Sequence, residues 1–381
     1  MCDGMGRVGT DGGRHQPDEG TRTSTRISSI AAMPVPQQFV EPDAVADQTE
    51  RQPGRHAKPR RRWRRVALIS LLVVALLGGG GLIAGGLYLR SVESDIERVD
   101  AFADVPEQGR PQAVAKGAMN ILILGSDTRD PESTSGSRTD TIILAHLPKD
   151  RSSAQLISIP RDTWVAVPRS KDGSQGGRDA KINAAYAWGG VPLMVQTVEK
   201  FTTVRIDHVM MVDFAGFKEI IDALGGIDID AEKSFTSIHP PFRTFRQGVQ
   251  RMDGETALDY SRQRKQFPDG DFARIRHQQQ VIKAILDRAV SGGIVTNPGK
   301  LNSFVKATSN AVSVDEKMSL LSMATDLRGL RGDNLRFITS PTKGTGRVGS
   351  ESVVFANTAK AKSFYDAVRR DAVAEIVNAG K

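Results

Sequence analysis

From residue 119 onward apolar side chains come in short runs bounded by polar, turn-forming residues: MNILILGSD (119–127), DTIILAHL (140–147) and AQLISIP (154–160). Runs of this length, rich in Ile and Leu and joined by short connections, predict three successive strands. Pro160 should end the third, because it has no N–H for a ladder bond, and TWVAVP (163–168) predicts another short strand. The polar, Gly-rich stretch 168–180 predicts a loop, and KINAAYAWGG (181–190) a helix closed by glycine. Helical spacing recurs over 191–202, 213–224, 253–260, 274–291 and 358–378, while GIDIDA (226–231) and NLRFITSP (334–341) predict strands. Strands interleaved with helices predict an α/β fold, an α/β/α sandwich with a central mixed sheet.

The first third of the chain follows a different pattern. Residues 1–54 are rich in Gly, Ser, Thr, Pro and acidic residues with no sustained apolar period, a composition expected to stay disordered. RHAKPRRRWRR (55–65) then precedes VALISLLVVALLGGGGLIAGGLYL (66–89), which carries no charged residue. As a helix this segment spans about 36 Å, enough to cross a hydrocarbon core of about 30 Å with some tilt. Seven Lys/Arg side chains lie in 55–65, whereas the other flank offers Arg90 and then Glu93, Asp95, Glu97 and Asp100. The basic side should therefore stay in the cytoplasm. The expected organisation is a cytoplasmic tail (1–65), a transmembrane signal anchor (66–89), a stem (90–116) and an extracellular domain (117–381).

Charge and cysteine content narrow the function classes. The net charge of +8 across 381 residues would suit nucleic acid, membrane or anionic substrates, but a basic run abutting an apolar span sets topology, and no nucleic-acid partner is expected. The sole cysteine, Cys2, excludes an intrachain disulfide and a cysteine-based metal site. There is no G-x-S-x-G, no H-E-x-x-H, and GRVGSES (346–352) lacks the lysine of a phosphate-binding loop. His208 reads as a strand-packing residue, His239 as a loop residue, and Trp188 as a packing one.

Polar residues concentrate at the ends of the predicted elements: Asp127, Arg129 and Asp130; Arg138 and Asp140; Arg161 and Asp162; Lys181 and Asn183; and YSRQRKQFPDGDFARIRHQQQ (260–280). Loops outside the carboxyl ends of strands are where α/β folds bind ligands. Arg262 and Arg264 are two apart and would share one face of an extended segment, and Arg274 and Gln278 are four apart and share a helix face. Arginines converging from 161, 262, 264 and 274 repel one another unless an anion fills the space, and a diphosphate offers several guanidiniums enough acceptors. Two roles are open to Asp127 and Asp140: neutralising these arginines, or holding a hard divalent cation such as Mg²⁺. Asp162 either orients Arg161 or acts on an acceptor.

In order along the chain, NILILGSDTR, SRTDTIILAHL, LISIPRDTWVAVP, KINAAYAWGG, VDFAGFKEIIDALGGIDIDA, MDGETALDYSRQRK and DFARIRHQQQVI resemble the LytR-CpsA-Psr family, closely over 117–291. The long N-terminal tail is similar to those of actinobacterial members. The resemblance implies a membrane-anchored phosphotransferase. Such an enzyme takes a glycopolymer from an undecaprenyl-diphosphate carrier and joins it, with the linking phosphate, to a muramic-acid hydroxyl of peptidoglycan. It also implies an apolar tunnel for the polyprenyl chain, for which FAGFKEIIDALGG (214–226) is a candidate wall. The family's motif aspartates, associated with Mg²⁺ and catalysis, fall on Asp127 and Asp140. Its diphosphate-holding arginines fall on Arg138, Arg161, Arg262, Arg264 and Arg274, and its glutamine on Gln278. Where the family often has Arg-Gln this chain has His277-Gln278, which puts one phosphate contact in question and opens it to pH. The polymer, whether teichoic acid, arabinogalactan or another, is not specified. The rival readings are a non-catalytic module binding anionic lipid or glycan and a lipid-diphosphate hydrolase.

Overall fold

The computed structural model describes residues 96–126, 139–294, 297–327, 329, 330, 332–373 and 375. The expected tail and signal anchor, most of the basic-to-acidic flank, and Asp127, Arg129, Asp130 and Arg138 lie outside them. Among the described residues no helix is long and apolar enough to cross a membrane.

In chain order the strands are β1 (Glu97–Val99), β2 (Met119–Ser126), β3 (Thr139–Leu147), β4 (Ala154–Ser158), β5 (Trp164–Val167) and β6 (Arg178–Lys181). Helix α1 (Ala184–Thr202) leads to β7 (His208–Asp213), α2 (Phe214–Ala223), β8 (Ile227–Ala231), β9 (Phe235–Thr236), β10 (Thr244–Phe245) and β11 (Gly248–Met252). Then come α3 (Gly254–Arg262), α4 (Asp271–Ser291), α5 (Pro298–Ala307), β12 (Val312–Asp315), α6 (Leu320–Leu327), β13 (Leu335–Thr339), β14 (Thr342–Val348), β15 (Glu351–Ala356) and α7 (Thr358–Arg369). Seven strands form the central sheet in the order β1-β12-β7-β2-β3-β4-β13. It is mixed, as expected: β2 runs antiparallel to β3 and parallel to β7, and β4 pairs antiparallel with β3 and parallel with β13.

Alternation along the central strands sends successive side chains to opposite faces. Leu122, Leu124, Ile142 and Leu144 pack in one cluster with Val195 and Val198 of α1 and Phe364 and Val368 of α7. Ile121, Ile143, Ala145 and Leu156 point the other way, toward Met323 and Leu335. A third cluster gathers Ile221, Phe235, Tyr260 and Val281 from α2, β9, α3 and α4.

Three local expectations are corrected. Residues 178–180, expected as loop, and Lys181, expected to open the helix, form strand β6, paired antiparallel with β5; RDAK has no apolar run, and its pairing is a tertiary effect in which only Ala180 is buried. The glycines of KINAAYAWGG do not close the helix. Gly189 (φ −160°) and Gly190 (φ 62°) kink α1, which continues because Val191, Met194, Val195 and Val198 bury on the sheet. The helix expected over 358–378 is interrupted: α7 ends at Arg369 and Asp371 turns the chain with φ 59°, while 374 and 376–378 lie outside the described residues.

Gly216 on α2 lies against the residue that precedes β12: a Cβ there would stand 2.0 Å from the carbonyl oxygen of Ala311. Backbone cannot yield as a side chain can, so Gly216→Ala is expected to cost about 2–3 kcal/mol by overpacking, read as a lower urea midpoint of the full chain.

Candidate functional site

The sheet face bearing Ile121, Ile143, Ala145 and Leu156 is not filled by side chains against the helices. A cavity of about 530 Å³ separates it from Phe214, Phe217 and Ile220 of α2 and from Ile282, Ile285 and Leu286 of α4. It is lined from Asp140 to Leu147 along β3, a run of roughly 23 Å at strand rise. Polar groups gather at the Asp140 end, where Arg161, Arg262, Arg264, Arg274 and Gln278 also line the wall. Remote sequence segments therefore deliver four guanidiniums to one place. FAGFKEIIDALGG is indeed a wall of this apolar space.

Backbone bonding on both sides fixes Arg161 and Asp162 in the turn after β4. Asn183 N–H donates to the Arg161 carbonyl (3.2 Å), Ile182 N–H to that of Thr163 (2.8 Å) and Val354 N–H to that of Asp162 (2.9 Å). The Arg161 side chain donates through Nη1 to Asp140 Oδ1, and its Nε lies 3.8 Å from Asp162 Oδ2.

The stretch 262–264 is not the extended segment expected from sequence. Arg262 closes α3 and Arg264 begins the following turn; Gln263 between them is fully buried. The Gln263 amide donates to Ser237 Oγ (2.8 Å), the Asp259 carbonyl (2.9 Å) and Asp259 Oδ1 (2.7 Å). With Gln263 tied inward, its neighbours are left to the cavity side. The Arg262 guanidinium lies over the Phe214 ring at 4.9 Å. Sequence reading missed Gln263, and His239, a loop residue as expected, also lines the cavity with Lys265.

Arg274 and Gln278 share the cavity face of α4. His277, one residue away, does not: it packs among Phe235, Tyr260 and Phe267, with ring centroids 6.1, 4.5 and 4.7 Å away. The doubtful phosphate contact at His277 is thus corrected to a core position. Burial there lowers its pKa from 6.5 to about 4, only partly opposed by Glu232. The unfolded chain therefore binds the proton more readily, and stability is lost as pH falls below the ordinary value of 6.5 toward 4. Going from pH 7 to pH 5 is expected to remove stability on the order of 2 kcal/mol through His277, and this component should vanish in the urea midpoints of His277→Phe.

Electrostatics at the arginines are strained in opposite directions. Burial pulls the Arg274 guanidinium below its ordinary pKa; Asp271, 2.7 Å from Nη2, opposes this, while nearby Arg161 and Arg264 add to it. Burial also acts against Arg161, but Asp140, Asp162 and Asp271 outweigh it and leave Arg161 above its ordinary value. Among the described residues the buried Nε atoms of Arg161 and Arg274 find no hydrogen-bond acceptor. Buried donors without partners are costly, so this cluster is suited to an anion with several oxygens.

Among the described residues no three His, Cys, Asp or Glu side chains come close enough together to hold a metal. Of the two acidic residues on the cavity wall, Asp213 caps α2 by accepting from Gly216 N–H at 2.6 Å, leaving Asp140. The Asp140 carboxylate fits the donor chemistry of Mg²⁺, which keeps several waters and binds few protein oxygens beside phosphate; Asp127 lies outside the described residues.

Comparison with known proteins places this arrangement among relatives. The TagU transferase of Bacillus cereus (strain AH820) is 34% identical over 242 residues, 61% of this chain and 74% of that protein. LcpA of Corynebacterium glutamicum, named a cell wall biosynthesis protein, is 29% identical over 347 residues, 79% of this chain and 64% of LcpA. The crystal structure of B. subtilis TagV superposes with TM-score 0.58 at 28% identity, covering 68% of this chain and 98% of that one. The LytR_cpsA_psr family model matches residues 90–370, which takes in every described strand and helix, and the chain belongs to that family.

Proposed function

We propose that this protein is a phosphotransferase. It moves a cell-wall glycopolymer, with its linking phosphate, from an undecaprenyl-diphosphate carrier to a muramic-acid hydroxyl of peptidoglycan and releases undecaprenyl phosphate. The observation that carries this reading is the meeting of four guanidiniums with one end of a long apolar cavity. A lipid diphosphate is the substrate class that presents both a hydrocarbon tail and a compact polyanion. The names of relatives support the same chemistry: TagU of B. cereus is called a polyisoprenyl-teichoic acid–peptidoglycan teichoic acid transferase. The 66–89 segment would anchor the enzyme in the membrane with residues 90–381 outside, where peptidoglycan is.

In the reaction the acceptor hydroxyl oxygen bonds to the phosphorus carrying the glycan, and the hydroxyl proton passes to solvent. The bond from that phosphorus to the bridging oxygen breaks, and its electron pair stays on the lipid phosphate. Arg161, Arg262, Arg264, Arg274 and Arg138 hold the phosphate oxygens and offset the charge on the leaving group, work that depends on position more than on covalent chemistry. Gln278 adds a neutral hydrogen-bonding group. Asp127 and Asp140 would hold Mg²⁺, which supplies Lewis-acid charge compensation when bound. Asp140 also orients Arg161.

The test is to incubate the full chain with a defined lipid-diphosphate glycan and peptidoglycan oligomers. A glycan–phosphate–peptidoglycan product is expected with Mg²⁺ and is expected to disappear with chelator. Release of glycan phosphate to water would instead identify a hydrolase, and binding without product a non-catalytic module.

A further inference from the structure

A second cleft, of about 510 Å³, adjoins the first, and the two share Arg161 and Arg264 in their walls. Its character is different. Where the first is apolar, this one presents Asp162, Arg178, Lys181 and Glu351 together with the rings of Trp164 and Trp188. Trp164 and Lys181 are register partners across the β5–β6 hairpin, so their side chains are neighbours on one face. Trp188 is the last residue before the glycine kink of α1, and the Arg178 guanidinium lies over its ring at 4.9 Å. Lys181 Nζ stands 3.7 Å from Asp162 Oδ1 and 3.6 Å from Glu351 Oε2. These are ion-pair separations too long for hydrogen bonds, so the groups keep capacity for a ligand.

We propose that this cleft receives the peptidoglycan acceptor strand, an inference that rests on the transferase function proposed for the arginine site. Two physical arguments carry it. Displacement at phosphorus places the attacking and leaving oxygens roughly in line on opposite sides. With the lipid phosphate leaving into the apolar cavity, the acceptor hydroxyl must come from another side of Arg161 and Arg264, and this cleft opens there. Its chemistry also matches: indole rings suit the C–H faces of sugar rings, Asp162 accepts from hydroxyls, and Arg178 and Lys181 meet the carboxylates of a peptidoglycan strand. The hairpin and the Thr163–Val354 bridge hold the cleft beside Arg161, so a sugar bound there has a hydroxyl near the phosphate.

The experiment measures initial rates of the full chain in detergent with donor and acceptor varied independently. For Trp188→Ala and for Lys181→Gln, the acceptor KM is expected to rise about tenfold or more, with donor KM within about twofold of wild type. Tryptophan fluorescence, read with peptidoglycan oligosaccharide and no donor, is expected to change saturably in the wild type and not in the Trp164→Phe/Trp188→Phe double variant. An unchanged acceptor KM in a wild-type-competent assay, or a rise in donor KM alone, would overturn the acceptor cleft while leaving the transferase function intact. A wild type that binds the oligosaccharide through these tryptophans but never transfers would do the opposite, keeping the cleft as a glycan site and overturning the transferase function. Should Trp188→Ala misfold, Lys181→Gln, a side chain 24% exposed, decides alone.

Discussion

Arg161→Ala is expected to lower glycopolymer transfer by a hundredfold or more, roughly the loss of one transition-state donor in a site that cannot reorganise. The fold should persist, since the turn carrying Arg161 is held by backbone bonds from Asn183, Ile182 and Val354 that the substitution leaves in place. Two effects add. The phosphate loses a planar donor whose Nε has no other acceptor among the described residues, and Asp140 loses the cation that faces it. Arg161→Lys should recover only part of the rate, because a point charge replaces a two-pronged donor. Rates for both variants with equal urea midpoints would establish the role; near-normal transfer by Arg161→Ala would exclude it.

The second large effect should come from the opposite end of the cavity. Ala145, on β3 between Ile121 and Leu156 of the neighbouring strands, lines the apolar space. A phenyl ring in its place would occupy room now free of protein and exclude about four methylenes of a lipid tail, worth ~3 kcal/mol or about a hundredfold in donor affinity. Ala145→Phe is therefore expected to raise the KM for a long-chain donor by that order. A donor with a short prenyl chain, which never reaches β3's far end, should be affected far less. Equal penalties for both donors would mean that the tail lies elsewhere.

The two variants probe ends of one cavity that differ in how far sequence reveals them. Asp140, Arg161 and Asp162 were legible because they stand at the ends of apolar strand runs, Asp140 where β3 begins and Arg161 and Asp162 just past β4; β3 is antiparallel to β4, so these ends share one rim. Arg274 and Gln278 followed from helical spacing. Arg262 and Arg264 were gathered with the right partners for the wrong geometric reason. They share a side because Gln263 is tied to Asp259, four residues back, and to Ser237, 26 residues away, and no local pattern contains the second of these bonds. His277 shows the converse: one step on a helix is about 100° of rotation, which here separates an anion site from an aromatic core.

Local order along the chain determined β2 to β5, β8 and β13, most helices, the mixed α/β class and the inventory of charged side chains, because periodicity and chain punctuation are properties of neighbours; β1, β7 and β12 of the central sheet did not show in it. Tertiary structure alone decided that one sheet face stays open as a cavity, that RDAK pairs as a strand, and that two tryptophans flank Arg161 in a second cleft. Each of these depends on surfaces brought together from distant parts of the chain, and their complementarity, or its lack, is set by three-dimensional packing that no window of sequence contains.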